Sequence, residues 1–340
     1  MIKSRKVQLC AIAEAIKMEG DTIKVKSITH RLEDFFKEAK LDYEQVALLL
    51  FFCLGSKGKI RLCMDRTEWD FGENQINILM VIACNGSRHV PLYWELLENK
   101  SGNSNATDRI DILKKIVDLV GISRIGILVA DREFIGHNFL KYLKDNKINF
   151  CVRVPKHHQI ERLDGSKQLI EELATEQPLY LQDCIVDGVW VNVYLKKLSD
   201  GDYLFLIGTI KDPKHLGQIY RRRWTIEVFF QSLKGRGFDI ESTHITDRER
   251  LKKLVAMVAI AFAVCISLGI YQHEKVQKIK VKNHGYKEKS FCRVGIDLIK
   301  DLCKQSVEVF ERKLQKFIRF LLIQKIKYDR QKINNSLSIT

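Results

Sequence analysis

Apolar and polar positions along the chain predict a series of strands and helices from Lys59 onward. Three strands are predicted by the segments KIRLCMD, QINILMVIACNG and SRHVPLYWELL, because apolar and β-branched residues are concentrated there. Asn85 and Gly86 form the dipeptide that is typical of a tight hairpin turn between the second and third strands. A helix from Ser104 to Val120 is followed by RIGILVAD, a short continuous apolar run of the kind found in a buried parallel strand.

The following segments extend this order to βββαβαβ. GHNFLKYLKDN has the periodicity of a helix, and NFCVRVPK has that of another strand. Residues 156–211 then contain CIVDGVWVNVYLKKL and DYLFLIGTI, which we interpret as a β-rich insertion ahead of the helix that carries Tyr220. The chain has only four prolines and no linker rich in Pro, Gly or Ser, so its segments are expected to pack against one another.

Helical segments flank this α/β pattern. Asp42 starts a capping box with Gln45 before the apolar run VALLLFFC, and Gly55 suits the end of that helix. Leu254 to Tyr271 contains 18 uncharged residues, which is close to the roughly 20 needed to span a bilayer. The many alanines of that segment favour a helix buried on all sides of a core, and a membrane span is the alternative.

The amino-acid composition indicates a polyanionic binding partner. The formal charge is +15, and 17 Lys and Arg against 7 Asp and Glu between Gln272 and Thr340 place +10 of it in the final fifth. Such a basic balance favours nucleic acid, or else an acidic membrane surface. The nine cysteines form no Cys-x-x-Cys pair, so reduced buried thiols are expected and a zinc site is not. The N-terminus has no secretory signal.

One segment, YRRRWTIEVFFQSLKGRG, places a carboxylate among groups that bind phosphate. At 100° per residue, Tyr220, Arg223, Glu227 and Lys234 fall within about 60° of one side of a helix. The neighbouring apolar stripe is expected to dock on a core, so that the polar side borders a cleft. For an isolated helix, a solvated ion-pair network would be the simpler interpretation.

Two aspartates extend this site. Asp65 ends the first predicted strand and Asp131 ends the buried run ILVAD, and strand ends are where α/β sheets present functional groups. Either one alone would usually be a turn or cap residue. Together with Glu227 they form an all-oxygen set, which suits Mg²⁺ better than zinc. Two such ions could stabilise the attacking and leaving oxygens of a displacement at phosphorus.

These motifs resemble those of a known family. DRTEWDFG around Asp65, ADREFIG around Asp131 and the Tyr-x2-Arg-x3-Glu-x6-Lys pattern from Tyr220 to Lys234 are similar to the DDE transposases of the insertion-sequence family four. The resemblance implies an RNase H-like mixed α/β sheet flanked by helices, interrupted by a β-strand insertion before the last catalytic helix. It runs from about Lys59 to Ile270.

The resemblance also implies roles for individual residues. By motif, Asp65, Asp131 and Glu227 would bind two catalytic Mg²⁺ or Mn²⁺ ions. Tyr220, Arg223 and Lys234 would contact DNA phosphates at the transposon end. Some family members stack a flipped base on an aromatic side chain of the insertion, and Trp190 is the candidate here. An inward-facing core tryptophan is the interpretation that we favour for Trp190.

The predicted organisation has five parts. They are a helical N-terminal segment at 1–58, the RNase H-like core in two pieces at 59–155 and 213–272, the β-rich insertion at 156–212, and a basic helical C-terminal region at 273–340. The first segment is a candidate reader of DNA ends or a structural preface, and it is short for the family.

The predicted function is metal-dependent cleavage and strand transfer of an insertion sequence, by cut and paste. Double-stranded DNA is the expected partner, a homodimer is expected in the synaptic complex, and the bacterial cytoplasm, at the nucleoid, is the expected location. A nuclease of the same fold that does not join strands, a non-enzymatic DNA-binding protein derived from a transposase, and a membrane protein are the alternatives.

Overall fold

The computed structural model describes residues 1–17, 22–55, 58–71, 74–98, 102–235, 237–283 and 285–319. The helices are α1 (Leu9–Ile16), α2 (Val25–Glu38), α3 (Tyr43–Leu54), α4 (Ala106–Val120), α5 (His137–Asp145), α6 (Leu216–Arg221), α7 (Trp224–Leu233), α8 (Arg248–Tyr271) and α9 (Phe291–Leu302). The strands are β1 (Ile60–Phe71), β2 (Asn74–Asn85), β3 (Arg88–Leu96), β4 (Ile125–Ala130), β5 (Phe150–Arg153), β6 (Gln159–Glu161), β7 (Lys167–Leu169), β8 (Leu179–Val186), β9 (Val189–Lys197) and β10 (Tyr203–Gly208). Residues 307–319 are also helical, and residues 320–340 of the predicted basic C-terminal region lie outside the described residues.

The ten strands of the described residues belong to one mixed sheet. Its order is β3-β2-β1-β4-β5-β10-β9-β8-β6-β7. The first three strands form an antiparallel meander, and β1, β4 and β5 are parallel. An antiparallel β1–β3 meander continued by parallel β4 and β5 is the RNase H-like arrangement, so the predicted fold class is confirmed. Strand β10 pairs with β5, so the β-rich block extends the core sheet and does not form a second one.

The first strand is longer than predicted. Pairing with β2 continues from Arg61 to Phe71, whereas pairing with β4 ends at Met64. Asp65 therefore lies inside β1, at the end of its parallel pairing only, and the prediction that it ends the strand was wrong. The hairpin between β2 and β3 is present, with Gly86 at φ 59° in its two-residue loop.

The N-terminal helices pack on this sheet. Asp42 caps α3, and its carboxylate accepts from the N–H groups of Glu44 and Gln45 at 3.0 and 3.1 Å. Helix α3 ends at Gly55, whose φ of 90° is readily adopted by glycine. It contacts both β3 and α8, so the predicted cap and stop produce a helix that covers the meander.

Helix α8 is a core element. It is long and apolar enough to cross a membrane by length and composition, and 72% of its apolar window is buried inside the protein. It contacts α3, β3 and α9, which confirms the prediction of a buried helix. The Phe229 ring of α7 packs edge to face against the Phe262 ring of α8, with 4.9 Å between the ring centroids. All nine cysteines are free thiols, and seven of them are buried.

Two glycines allow α8 and α9 to touch through their backbones. A Cβ atom on Gly295 would overlap the carbonyl oxygen of Cys265 in α8, and one on Gly269 would overlap that of Phe291 in α9. Backbone atoms cannot move aside as a flexible side chain can. The close helix contact therefore requires glycine at both positions.

We expect Gly295→Ala to destabilise the protein. Helix propensity alone would predict a gain of up to about 1 kcal/mol, whereas the clash with Cys265 predicts a loss of about 2 kcal/mol or more in the free energy of unfolding. Urea denaturation measures the difference. Gly235→Ala is the control, because no atom lies within 4 Å of its added Cβ. A Gly295→Ala protein as stable as the wild type would contradict the packing described here.

Candidate active site

Two aspartates lie side by side where the parallel pairing of β1 and β4 ends. The last register pair is Met64 with Ala130, and Asp65 and Asp131 are the next residues along the chain. In each aspartate, Oδ1 accepts from the N–H of the following residue at 2.8 Å. The side chains are 18% and 27% exposed. The sheet thus brings together two carboxylates that are far apart in sequence.

The Arg223 guanidinium joins these aspartates to Glu227. Its Nη1 donates to Asp65 Oδ2 at 2.8 Å. Its Nη2 donates to Glu227 Oε1 and lies 3.7 Å from Asp131 Oδ2. The Arg223 side chain is only 13% exposed. The three carboxylates named from the sequence therefore converge on a single cationic side chain.

The segment that carries Arg223 and Glu227 forms two helices. Helix α6 ends at Arg221 and α7 begins at Trp224. Between them, the N–H groups of Arg222 and Arg223 donate to carbonyl oxygens three residues earlier, at 3.1 and 2.8 Å, in place of the four-residue spacing of an α-helix. The prediction of one helix through these residues was wrong. A uniform projection cannot include the tertiary ion pairs that hold Arg223 at the break.

Tyr220 orients the second aspartate. Its hydroxyl donates to Asp131 Oδ1 at 2.9 Å, and the Arg223 guanidinium carbon lies 5.5 Å from the centre of its ring. Burial raises the pKa of Tyr220 above its ordinary value, with the carboxylate of Asp131 adding to the shift. The phenol therefore stays protonated at neutral pH and can donate.

Lys234 lies next to this cluster and not inside it. Its Nζ donates to the carbonyl oxygen of Glu68 at 3.1 Å and pairs with Glu241 Oε1 at 2.8 Å. Lys234 and Glu227 line one cavity of about 390 Å³, together with Thr67. The fourth residue of the motif therefore faces the same cleft as Glu227 from the far end of α7.

Glu133 is a fourth carboxylate at this edge, and the sequence reasoning gave it no role. Its Oε2 accepts from Arg66 Nε at 3.4 Å, while Oε1 is buried and makes no hydrogen bond within the described part of the chain. Asp65, Asp131 and Glu133 line a cavity of about 480 Å³. The DRE tripeptide contained the signal, since its third residue follows Asp131 by two positions.

Burial dominates the electrostatics of the first aspartate. It raises the pKa of Asp65 to about 6, against the opposing effect of the Arg223 guanidinium. The carboxylates of Asp131 and Glu133 raise it further by repulsion. Burial also raises the pKa of Glu133. A positive charge among these groups is therefore needed to keep them ionised together.

The donor chemistry of the cluster fits a hard cation, but Arg223 stands between the donors. Asp65, Asp131 and Glu227 offer only carboxylate oxygens, which Mg²⁺ and Mn²⁺ accept as ligands. Across the described ranges, no group of three or more His, Cys, Asp or Glu side chains has the arrangement of a metal site as it stands. The guanidinium occupies hydrogen-bonding positions on Asp65 and Glu227 that a cation would use.

A basic cavity of about 600 Å³ adjoins the acidic cluster. Its lining includes the cationic side chains Arg132, Arg153 and Lys156. Two carboxylates, Glu171 and Asp202, also line it, and Glu171 pairs with His157 at 2.8 Å. Arg132 also lines the cavity that contains Asp65 and Asp131. Within the described ranges, Arg132, Arg153 and Lys156 form no salt bridge. This cavity could not be predicted from the sequence, because β10 pairs with β5 only in the folded sheet.

Trp190 lies away from the acidic cluster. It is 46% exposed on β9, so the favoured interpretation of a core tryptophan was wrong: alternate β9 residues are buried and Trp190 lies between them. The sheet register aligns Asn192 with Gly208 and Gly208 with Cys151. Trp190 is therefore displaced toward the amino end of β5, whereas Asp131 follows the carboxyl end of β4.

Comparison with known proteins gives a family match for this part of the chain. The family model described as the transposase DDE domain matches residues 56–264, which is more than half of the chain. No curated protein sequence matches this chain. Similar solved structures include endonuclease V from Bacillus subtilis, with 9% identity, a TM-score of 0.30, and 63% of this chain and 97% of that chain covered. The NurA nuclease from Sulfolobus solfataricus has 11% identity and a TM-score of 0.24, with 69% of this chain and 94% of that chain covered. A simian T-cell lymphotropic virus intasome in complex with a PP2A regulatory subunit has 9% identity and a TM-score of 0.24, with 45% of this chain and 77% of that chain covered.

The raised pKa of Asp65 predicts a defined pH dependence of stability. A carboxyl group whose pKa is about 6 in the folded protein binds its proton more tightly there than in the unfolded chain. Protonation of Asp65 therefore favours folding at low pH. This contribution to the free energy of unfolding is lost as the pH rises from about 4 to 6. We expect the unfolding free energy of the wild type, minus that of Asp65→Asn, to fall by on the order of 2 kcal/mol over this window. Urea titrations between pH 4 and 8 measure it. A constant difference would contradict the assignment.

Proposed function

Because the chain belongs to the transposase DDE-domain family, we propose that it is an insertion-sequence transposase of the family-four type that cuts DNA strands and joins them to a target by cut and paste. The observation that supports this most directly is the convergence of Asp65, Asp131 and Glu227 on one guanidinium. Asp65 lies in β1, Asp131 follows β4 and Glu227 lies in α7. An ion-pair network that served only stability would not require carboxylates from three such distant segments to meet at one edge of the sheet.

The three carboxylates would hold two Mg²⁺ or Mn²⁺ ions. When bound, such ions supply Lewis-acid stabilisation of the attacking and leaving oxygens at phosphorus. Burial of Asp65 and the adjacent aspartate backbone turns fix these oxygens in place before any ligand arrives. The Tyr220 hydroxyl orients Asp131 by donating to its Oδ1.

Cations in and around the cluster would contact the DNA backbone. Arg223 offers a planar fork that matches phosphate oxygens, and Lys234 offers a point charge. Arg132, Arg153 and Lys156 surround the adjoining cavity without carboxylate partners in the described part of the chain. A strand that leaves the acidic cluster through this cavity would meet three further positive charges.

The proposed partners follow from the same surface. Double-stranded DNA, as transposon ends and as target, is the substrate, and synapsis of two ends requires a homodimer on DNA. We place the activity in the bacterial cytoplasm, at the nucleoid. The N-terminal helices remain a candidate reader of DNA ends. Trp190 remains a hypothesis for base stacking, and its exposed indole supports contact with a ligand, although away from the acidic cluster.

Glu227→Gln should abolish both nicking and strand joining while leaving DNA binding in place. The substitution keeps the shape of the side chain and its contact with Arg223, but removes the charge that a divalent ion requires. The assay uses purified protein, Mg²⁺ and labelled element ends, with products resolved on a sequencing gel.

Glu249→Gln is the matched control, because Glu249 is exposed on α8 outside the cluster and should retain both reactions. Equal activity of the Glu227→Gln protein would remove Glu227 from the mechanism. Nicking without joining by the wild type would identify a nuclease of the same fold. Binding without either reaction would identify a DNA-binding protein derived from a transposase.

The double variant Arg153→Gln and Lys156→Gln should weaken DNA binding and flatten its salt dependence. Each neutralised phosphate contact contributes about 0.9 to the slope of log K against log salt, so the loss of two contacts should reduce that slope by about 2. Fluorescence anisotropy between 50 and about 300 mM salt measures it. Lys114→Gln with Lys141→Gln removes the same charge from α4 and α5, where both lysines pair with neighbouring aspartates. An equal effect of the two double variants would contradict a role for the cavity.

A further inference from the structure

Arg223 occupies the one point at which the three carboxylates of the cluster meet. Its two terminal nitrogens contact Asp65 Oδ2, Glu227 Oε1 and Asp131 Oδ2. We propose that Arg223 is an exchangeable internal counter-cation. It holds the carboxylates together until divalent ions displace it, and the displaced guanidinium then binds a DNA phosphate. The destination of the guanidinium rests on the proposed function, whereas the exchange at the carboxylates can be tested without DNA.

Arginine and a divalent ion would compete for the same atoms. Magnesium coordinates oxygen at about 2.0–2.1 Å. Asp65 Oδ2 and Glu227 Oε1 are both engaged by the Arg223 guanidinium. A divalent ion bound to these two oxygens would lie against the guanidinium, and the two positive charges would repel one another. Binding of the ion and retention of Arg223 at this place therefore oppose each other.

The charge balance explains why an exchangeable cation is needed at this place. Asp65, Asp131 and Glu227 are three carboxylates that meet at one guanidinium, and like charges brought so close together repel one another. The Arg223 guanidinium offsets this repulsion. It thus keeps the donor oxygens close together, which is the arrangement that a divalent ion requires.

Arg223 is not fully satisfied where it lies. Its Nε is buried and makes no hydrogen bond in the described part of the chain, which costs about 1–3 kcal/mol for a buried donor. Phosphate oxygens can engage Nε and a terminal nitrogen together, so release toward DNA would satisfy the donor that the cluster leaves unused.

The position of Arg223 in the chain suits such a movement. It lies at the break between α6 and α7, where the hydrogen bonds change to three-residue spacing. Trp224, the next residue, is 58% exposed, so the break lies at the protein surface. Exchange then couples two ligands: cation binding frees Arg223 for phosphate, and phosphate binding frees the carboxylates for cations, with equal coupling in both directions.

The test is a Mn²⁺ titration of the full chain without DNA, by calorimetry and by electron paramagnetic resonance of free Mn²⁺. We expect Arg223→Gln to bind Mn²⁺ about tenfold more tightly than the wild type, because the ion no longer displaces charge-assisted hydrogen bonds. In EDTA the same variant should melt at a lower temperature than the wild type, and Mn²⁺ should raise its melting temperature by more.

Arg66→Gln is the matched control for loss of nearby positive charge. Arg66 is also 13% exposed and pairs with Glu68 and Glu133, not with the three carboxylates, so its Mn²⁺ affinity should change by less than about threefold. Unchanged or weaker Mn²⁺ binding by Arg223→Gln would overturn the exchange, as would an equal gain in Arg66→Gln. If Arg223→Gln does not fold, Arg223→Lys replaces it, and a gain of at least about twofold is expected, since a point charge loses the two-nitrogen contact.

A separate arm addresses the destination of the guanidinium. Ca²⁺ should increase the affinity of the wild type for element-end DNA, and should not do so for Arg223→Gln. If neither protein binds DNA, the proposed function fails while the Mn²⁺ result still decides the exchange. If both proteins gain equally from Ca²⁺, Arg223 does not carry the coupling, and release toward phosphate is excluded.

Discussion

The parallel pairing of β1 with β4 is the constraint on which the candidate site depends. It ends at Met64 and Ala130, so the next residue on each segment is an aspartate, and the two carboxylates emerge at the same edge of the sheet. A slip of this pairing by one residue would turn every side chain of the strand to the opposite face of the sheet, so packing of the apolar side chains fixes the register. Asp65 and Asp131 are therefore held side by side.

The third carboxylate reaches this edge through helix packing. Ile226, Phe229 and Leu233 bury one face of α7, and the Phe229 ring packs against Phe262 of α8. Helix α8 in turn is held by α3, β3 and α9. The apolar helix that resembles a membrane span in sequence thus serves as the support for the helix that carries Glu227.

The charged side chains near the site do not form simple pairs of one carboxylate with one cation. The buried carboxylates share Arg223 as an internal cation, while Arg132, Arg153 and Lys156 around the next cavity form no salt bridge within the described ranges. An acidic centre next to cations that form no ion pair is suited to a polyanion that must approach three carboxylates. Asp65, whose pKa burial raises to about 6, contacts the Arg223 guanidinium at 2.8 Å.

The order of strands and helices, the Asp42 cap and the buried helix α8 could be predicted from the sequence by itself, because periodicity and capping are local properties of the chain. The RNase H-like core and the three acidic positions were indicated by motifs that resemble those of a known family. The basic cavity could not be found in this way, since it requires β10 to pair with β5 across the insertion. The outward position of Trp190, the break before α7 and the burial of Arg223 likewise depend on register and on ion pairs between distant segments. Such contacts exist only after folding, so only the tertiary structure could decide which cation lies among the carboxylates.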